Sequence, residues 1–203
     1  MKRAFFIVFL VLMIDQITKI YIKTHFFLGD EVHVMGNWFI LHFTENPGMA
    51  FGYELGVSWG KLALSIFRIL AIGALIVYVV RLVRQKSPSG LVMSISLILA
   101  GALGNMIDSA FYGMFFSESM FHEKAVFLPI DGGYSSFLHG KVVDMLYFPL
   151  FNFTWPEWIP WLGGSYFQFF QPVFNIADSA ITLGVTLILV FQKRFFVTEA
   201  SDL

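Results

Sequence analysis

Lys2-Arg3-Ala4-Phe5-Phe6-Ile7-Val8-Phe9-Leu10-Val11-Leu12-Met13-Ile14-Asp15-Gln16-Ile17-Thr18-Lys19 opens a chain of 203 residues, and much of its architecture follows from this stretch. Two basic residues precede eleven apolar ones, and apolar character continues beyond Asp15 to about residue 24. About 20 mostly apolar residues cross a hydrocarbon core of about 30 Å as a helix. A secretory signal peptide also begins with a basic and then an apolar region. Here no small-x-small cleavage site follows, so a retained first span is expected.

Working outward, three further stretches meet the same requirement, at about 62–80, 91–107 and 172–191. The whole chain is 57% hydrophobic and 13% charged, against about 25% charged in an ordinary soluble domain, which excludes a soluble globule. The formal net charge of -1 provides no global basic field for nucleic acid. Cysteine is absent, which removes disulfides, thiolate metal sites, cysteine nucleophiles and acylation on sulfur. Lys2 and Arg3, then Arg81, Arg84 and Lys86, then Lys193 and Arg194 all fall on one side of this four-span arrangement. Basic clusters in short loops mark the cytoplasmic face. The expected fold is therefore an all-α membrane protein, one integral membrane domain over 1–203, with four transmembrane helices and both termini cytoplasmic.

The segments at about 25–61 and 109–171 would then be extracytoplasmic, and they hold all five tryptophans, Trp38, Trp59, Trp155, Trp158 and Trp161. Tryptophan favours the membrane interface, so this outer region is expected to lie on the bilayer surface. Trp38-Phe39-Ile40-Leu41-His42-Phe43, bounded by Gly36-Asn37 and Asn46-Pro47-Gly48, reads as a strand leading into a turn, hence a small outer β-sheet. Between Trp155 and Phe170 the pattern predicts an interfacial loop or short amphipathic helix.

Charged residues in spans are costly and mark functional sites by default. At about 1.5 Å per residue from the basic clusters, Asp15 lies roughly 18 Å above the inner face, Asp178 roughly 22 Å, Asn105 about 24 Å and Asp108 about 28 Å. Asn175 shares a helical face with Asp178 through i, i+3 spacing. Asp144 lies in the apolar run Val142-Val143-Asp144-Met145-Leu146-Tyr147 on the returning outer segment. If Asp144 and Asp178 face one cavity they resist joint ionisation and share a proton, one serving as base and the other as acid towards a water. Arg68 is a candidate ion-pair partner for Asp15 at similar depth, and Asp108 reads as a group ordering the outer end of span three. His25, His33, His42, His122 and His139 lack ligand spacing, so no metal and no cofactor are expected. Gly101-Ala102-Leu103-Gly104 and Ala71 with Gly73-Ala74 read as helix-packing surfaces, as do the serines of the spans.

Five blocks in order, Asp15-Gln16-Ile17-Thr18-Lys19, Asn46-Pro47-Gly48-Met49-Ala50-Phe51-Gly52, Gly101-Ala102-Leu103-Gly104-Asn105-Met106-Ile107-Asp108, Val142-Val143-Asp144 and Phe174-Asn175-Ile176-Ala177-Asp178-Ser179-Ala180, resemble those of the lipoprotein signal peptidases. The resemblance implies a bacterial inner-membrane aspartic endopeptidase that cuts prolipoproteins before a diacylglyceryl-modified cysteine, with its active site on the extracytoplasmic side. It implies Asp144 and Asp178 as the catalytic pair, and Asp15, Lys19, Asn46, Gly48, Asn105, Asp108, Asn175 and Ala177 as residues that shape the site or hold substrate. The expected partners are lipid-modified signal peptides and membrane lipids, with no nucleic acid and a monomeric chain.

Two departures stand out. Family members usually carry arginine after the Asn-x-x-Asp of span three, where this chain has Ser109. Long stretches also separate Asp108 from Asp144 and Asp144 from Phe174, and these read as insertions in the outer region. Two other classes compete with the peptidase reading. One is a proton- or ion-coupled transporter relaying through Asp15, Arg68 and Asp178, opposed by the lack of repeat symmetry. The other is a non-catalytic scaffold.

Overall fold

The computed structural model describes residues 1–47 and 58–196. Gly48, expected at the site, lies outside the described residues. Helix α1 (Lys2–His25) is followed by β1 (Glu31–Met35) and β2 (Phe39–Asn46), then α2 (Ser58–Arg84) and α3 (Ser89–Ile107). A π-helical turn (Asp108–Tyr112) and the short α4 (Gly113–Phe115) prolong α3. The chain returns through β3 (Val142–Tyr147), β4 (Phe151–Thr154), β5 (Tyr166–Phe169) and β6 (Val173–Phe174) into α5 (Ile176–Val190) and α6 (Gln192–Phe195).

Among the described residues three helices are long and apolar enough to cross a membrane, Lys2–His25, Leu64–Arg84 and Ser89–Phe115. Their outer faces expose Phe5, Phe6 and Phe9 on α1 and Phe67, Leu70 and Val77 on α2. Such apolar faces suit lipid. α3 packs against α1, α2 and α5, and its small residues allow the close approach. A Cβ on Gly101 would stand 2.2 Å from the Ala177 carbonyl oxygen, and one on Gly104 would stand 2.6 Å from Asp15 Oδ2. Backbones this close leave no room for a side chain, which bears out the packing reading of residues 101–104. On α2 the parallel expectation does not hold at Gly73, where an added Cβ meets nothing within 4 Å. Ser94 and Ser96 bond back to the carbonyls of Gly90 and Val92 at 2.8 and 2.7 Å within their own helix.

Beside the helices lies the small sheet expected from the sequence, together with a second, two-stranded one. β1, β2, β3 and β6 form one antiparallel sheet in that order, with Thr44 opposite Asp144, Asn46 opposite Val142 and Leu146 opposite Phe174. β2 covers the strand expected at 38–43. Of the segment expected as an interfacial loop or short amphipathic helix, residues 155–165 form the turn-rich loop of the β4–β5 hairpin, and only Tyr166–Phe169 differs, as strand β5. Cross-strand aromatic pairs hold that strand: Phe151 stacks on Phe169 at 4.8 Å between centroids and Phe153 meets Phe167 at 5.1 Å.

The fourth apolar stretch is shorter as a helix than expected at 172–191. Val173 and Phe174 pair with β3, and Asn175 caps the helix by accepting the Asp178 N–H, so α5 has 15 residues. That is about 22 Å of rise.

Candidate active site

Asp15, Gln16 and Lys19 occupy one face of α1, since i, i+4 spacing places Asp15 and Lys19 one turn apart. Asp15, Lys19 and Asp108 are all fully buried. The Lys19 ammonium contacts Asp15 Oδ2 at 3.0 Å, Asp108 Oδ2 at 2.8 Å and Asn105 Oδ1 at 2.9 Å. Three donors thus meet three acceptors, the full capacity of a lysine. Asp15 Oδ1 receives the backbone N–H of Ala177 at 2.9 Å, which fastens the first turn of α5 to α1 and satisfies one of its free donors. Asp108 Oδ2 receives the Val143 N–H at 3.3 Å and so ties the outer end of α3 to the strand that carries Asp144. This matches the ordering role expected of Asp108. The expected Asp15–Arg68 pair does not form. Depth along the helices gave both residues a similar height, but Lys19, one turn away, takes Asp15, while Arg68 Nη1 donates to Ser109 Oγ at 3.2 Å.

Asn175 is the junction of the site. Its Oδ1 accepts the Asp178 N–H at 2.9 Å. Its Nδ2 lies 2.7 Å from Asp144 Oδ1, and 3.2 Å from both the Val143 carbonyl and Asn105 Oδ1. Asn105 in turn donates from Nδ2 to Asp178 Oδ1 at 2.7 Å. Two amides, Asn175 buried and Asn105 half-buried, thereby connect the Lys19 cluster to both aspartates expected as the catalytic pair. Asp144 is buried and Asp178 half-buried. Burial first, and then the negative charge of Asp178, pushes the Asp144 carboxyl from 3.8 up to about 7.

Of the other expected site residues, Ala177 is fully buried and contributes its backbone N–H, while Asn46 closes β2 opposite Val142. One site residue, Gln16, and one neighbouring polar cluster were not anticipated. Gln16 Nε2 bridges Asp15 Oδ2 at 3.0 Å and Asp108 Oδ1 at 2.9 Å, and its Oε1 accepts the Tyr112 hydroxyl at 3.2 Å. A second buried polar cluster lies at the outer end of α1. Lys23 pairs with the Glu45 carboxylate and bonds Ser119 Oγ at 2.9 Å, and Ser119 donates to Glu45 at 2.8 Å. The i, i+4, i+8 stripe of Asp15, Lys19 and Lys23 was the available signal for it. This cluster fixes the stretch between Asp108 and Asp144 against α1 and β2.

Membrane-length apolar helices, an outer antiparallel sheet and a buried carboxylate–amide network at their junction define a polytopic membrane enzyme. The same fold occurs in a solved bacterial membrane enzyme that is 27% identical, with a TM-score of 0.62 over 95% of this chain and 93% of that one. The chain belongs to the signal peptidase II family, whose model, described as Signal peptidase (SPase) II, matches residues 7–194. It is 49% identical over 189 residues to the lipoprotein signal peptidase of Porphyromonas gingivalis, covering 93% of this chain and 81% of that relative. To the lipoprotein signal peptidase of Amoebophilus asiaticus it is 39% identical over 207 residues, covering 97% and 83%. A peptidase family leaves the transporter reading without support.

Proposed function

We propose that the chain is an aspartic endopeptidase that removes signal peptides from diacylglyceryl-modified prolipoproteins, cutting before the modified cysteine, with Asp144 and Asp178 as its catalytic pair. One observation carries the reading: a single amide, Asn175, touches both, donating to the Asp144 carboxylate at 2.7 Å and receiving the Asp178 N–H at 2.9 Å. Family membership supplies the peptidase activity, and the relatives' shared name, lipoprotein signal peptidase, supports the substrate.

A water held between the two carboxyl groups gives up a proton to the ionised one as its oxygen attacks the scissile carbonyl. The protonated partner gives its proton to the carbonyl oxygen. On collapse, the first carboxyl passes its proton to the leaving nitrogen and the second recovers one from the gem-diol. The pair then returns to its starting state. Asn105 and Asn175 aim the carboxylates, Lys19 balances Asp15 and Asp108 beneath them, and Asn46 contributes from the end of β2.

In this reading the protein is one multi-pass domain of the bacterial inner membrane with four spans and cytoplasmic termini. From Asn175 to the basic pair Lys193-Arg194 the fourth segment covers about 27 Å at 1.5 Å per residue, close to a core of about 30 Å. The site then faces the extracytoplasmic side at the outer boundary, where substrate lipid chains stay in the bilayer. The test is cleavage of a diacylglyceryl-modified precursor by Asp144→Asn and Asp178→Asn. Both should insert and both should be inactive; substantial turnover by either would remove it from the pair.

A further inference from the structure

Far from the active site, the basic ends of α1, α2 and α3 meet around a cleft of about 640 Å³. Its polar lining is Lys2, Arg3, Lys86, Ser87 and Ser89, and its apolar walls include Ile7 of α1, Val83 of α2 and Met93 of α3. The end of α2 places Lys86 there. The Lys86 N–H bonds the Val83 carbonyl at 3.2 Å and the Ser87 N–H bonds the Leu82 carbonyl at 3.0 Å, with Lys86 at a φ of 53°. Glycine usually fills this left-handed position after a helix, so a lysine held there stands against the local backbone preference. α3 then begins from Pro88 without a side-chain cap.

The charge at this end has no counterpart in the surrounding elements. Among the described residues Lys2, Arg3 and Lys86 make no ion pair and no side-chain hydrogen bond. Residues 1–14, 81–107 and 179–196 contain no aspartate or glutamate. Cations gathered on one cleft repel one another and favour an anion between them.

A second, apolar cavity of about 170 Å³ shares Met1, Ala4 and Val83 with the cleft and continues from it between α1 and α2. Phe5 and Val8 line one side, Ile76 and Val80 the other, and Leu99 of α3 completes it. Both helices pack on α3, and this groove is the gap between them. It spans Met1 to Val8 on α1 and Ile76 to Val83 on α2, about 10 Å along each helix. A cationic cleft that opens into an apolar groove fits an amphiphile with an anionic head and an acyl chain. A free anion would leave the groove empty, and the basic start of a signal peptide would be repelled.

We propose that this cleft binds one anionic phospholipid of the inner leaflet. Lys2, Arg3 and Lys86 hold its phosphate, the Ser87 and Ser89 hydroxyls donate to it, and one acyl chain lies in the groove between α1 and α2. Basic pockets between spanning helices on the cytoplasmic side suit such headgroups. The lipid joins two helices that meet only through α3. Its leaflet rests on the basic ends facing the cytoplasm, as in the proposed topology, and its binding is independent of the catalytic pair.

The test titrates the full chain in neutral detergent with dioleoylphosphatidylglycerol, dioleoylphosphatidylcholine or inorganic phosphate, read by native mass spectrometry and thermal unfolding. One phosphatidylglycerol should be retained and should raise the unfolding midpoint, because a ligand of the folded state stabilises it. Phosphatidylcholine has the same chains without net charge, and phosphate has no chains; neither should do so at the same concentration. Lys86→Gly suits the left-handed turn and should fold at least as well as the parent, yet bind phosphatidylglycerol about fivefold more weakly, the worth of one basic group near a lipid surface. Replacing Lys2, Arg3 and Lys86 together by Gln should weaken binding about a hundredfold. Val80→Trp keeps every cation, fills the groove and should also lose the lipid. Equal retention of phosphatidylcholine, displacement by phosphate alone, or unchanged phosphatidylglycerol binding in K86G or Val80→Trp overturns the proposal. If the triple variant fails to insert, K86G decides. Binding in detergent does not depend on orientation. Labelling of Lys86→Cys, the sole cysteine of such a chain, from outside intact cells would instead reject the cytoplasmic placement and the inner leaflet with it.

Discussion

Asn175 Nδ2 lies 2.7 Å from Asp144 Oδ1 while the same side chain caps α5 through its Oδ1. Structural and chemical duties therefore meet in one amide, and substitution can separate them. Serine caps a helix about as well as asparagine but offers no amide donor. Asn175→Ser should keep its unfolding midpoint close to that of the parent while turnover falls about 10- to 100-fold, the worth of a charge-assisted hydrogen bond. Asn175→Ala should lose the same activity and about 1 kcal/mol of stability besides. Parallel cleavage assays and thermal unfolding in detergent would check both, and full activity in Asn175→Ser would show that the contact with Asp144 is idle.

The Asp144 carboxyl, raised from 3.8 to about 7, makes a prediction with a definite sign. Between those values the folded protein binds a proton that the unfolded chain does not. The resulting stabilisation is complete below about pH 4 and lost as pH rises through about 7. Asparagine resembles the neutral acid at every pH. Asp144→Asn should therefore match the parent near pH 4 and exceed its melting temperature at pH 8. Melting curves across that range would show it, and a constant offset between the two proteins would count against a raised Asp144.

Lys19 neutralises two buried carboxylates, at 3.0 Å from Asp15 and 2.8 Å from Asp108. Removing one partner of a buried pair strands charge in a poor solvent, at a cost of about 3–5 kcal/mol. Lys19→Met should lower stability by that amount, and adding Asp108→Asn should recover part of the loss because the asparagine oxygen can still accept the Val143 N–H. A double variant less stable than Lys19→Met alone would argue against charge as the cause.

What the sequence made legible follows from what each signal can encode. Apolar length located the three long helices, and the alternation around Phe39 located the strand that became β2. Height along a helix brought Asp15, Asn105, Asp108 and Asp178 to neighbouring levels. Height says nothing of azimuth, so Arg68 was as good a partner for Asp15 as Lys19 until the helices were packed. Gln16 contacts Asp108 across 92 positions, and Lys23 contacts Ser119 across 96. No local pattern reports such pairings. The start of α5 was misplaced because Val173 and Phe174 are as apolar as a span, and only their pairing with β3 identifies them as strand.

The β4–β5 hairpin between Asp144 and Phe174 supplies the last prediction. Glu157 is the only charged side chain between residues 148 and 175, and Trp158 and Trp161 are 81% and 102% exposed. Leaving two indoles in water forgoes on the order of several kcal/mol of apolar burial, whereas a bilayer interface accepts both the rings and their N–H groups. The hairpin also departs from β3 and returns just before the outer end of α5, at the level expected of the outer headgroup boundary. In proteoliposomes, a variant with Trp158 as its only tryptophan should therefore emit at shorter wavelength than in detergent-free water. It should be quenched by lipids brominated near the carbonyl region and be shielded from aqueous iodide. A variant with only Trp161 should behave alike. Free iodide quenching with no effect of brominated lipid would place the hairpin away from the membrane and open its aromatic face to another partner.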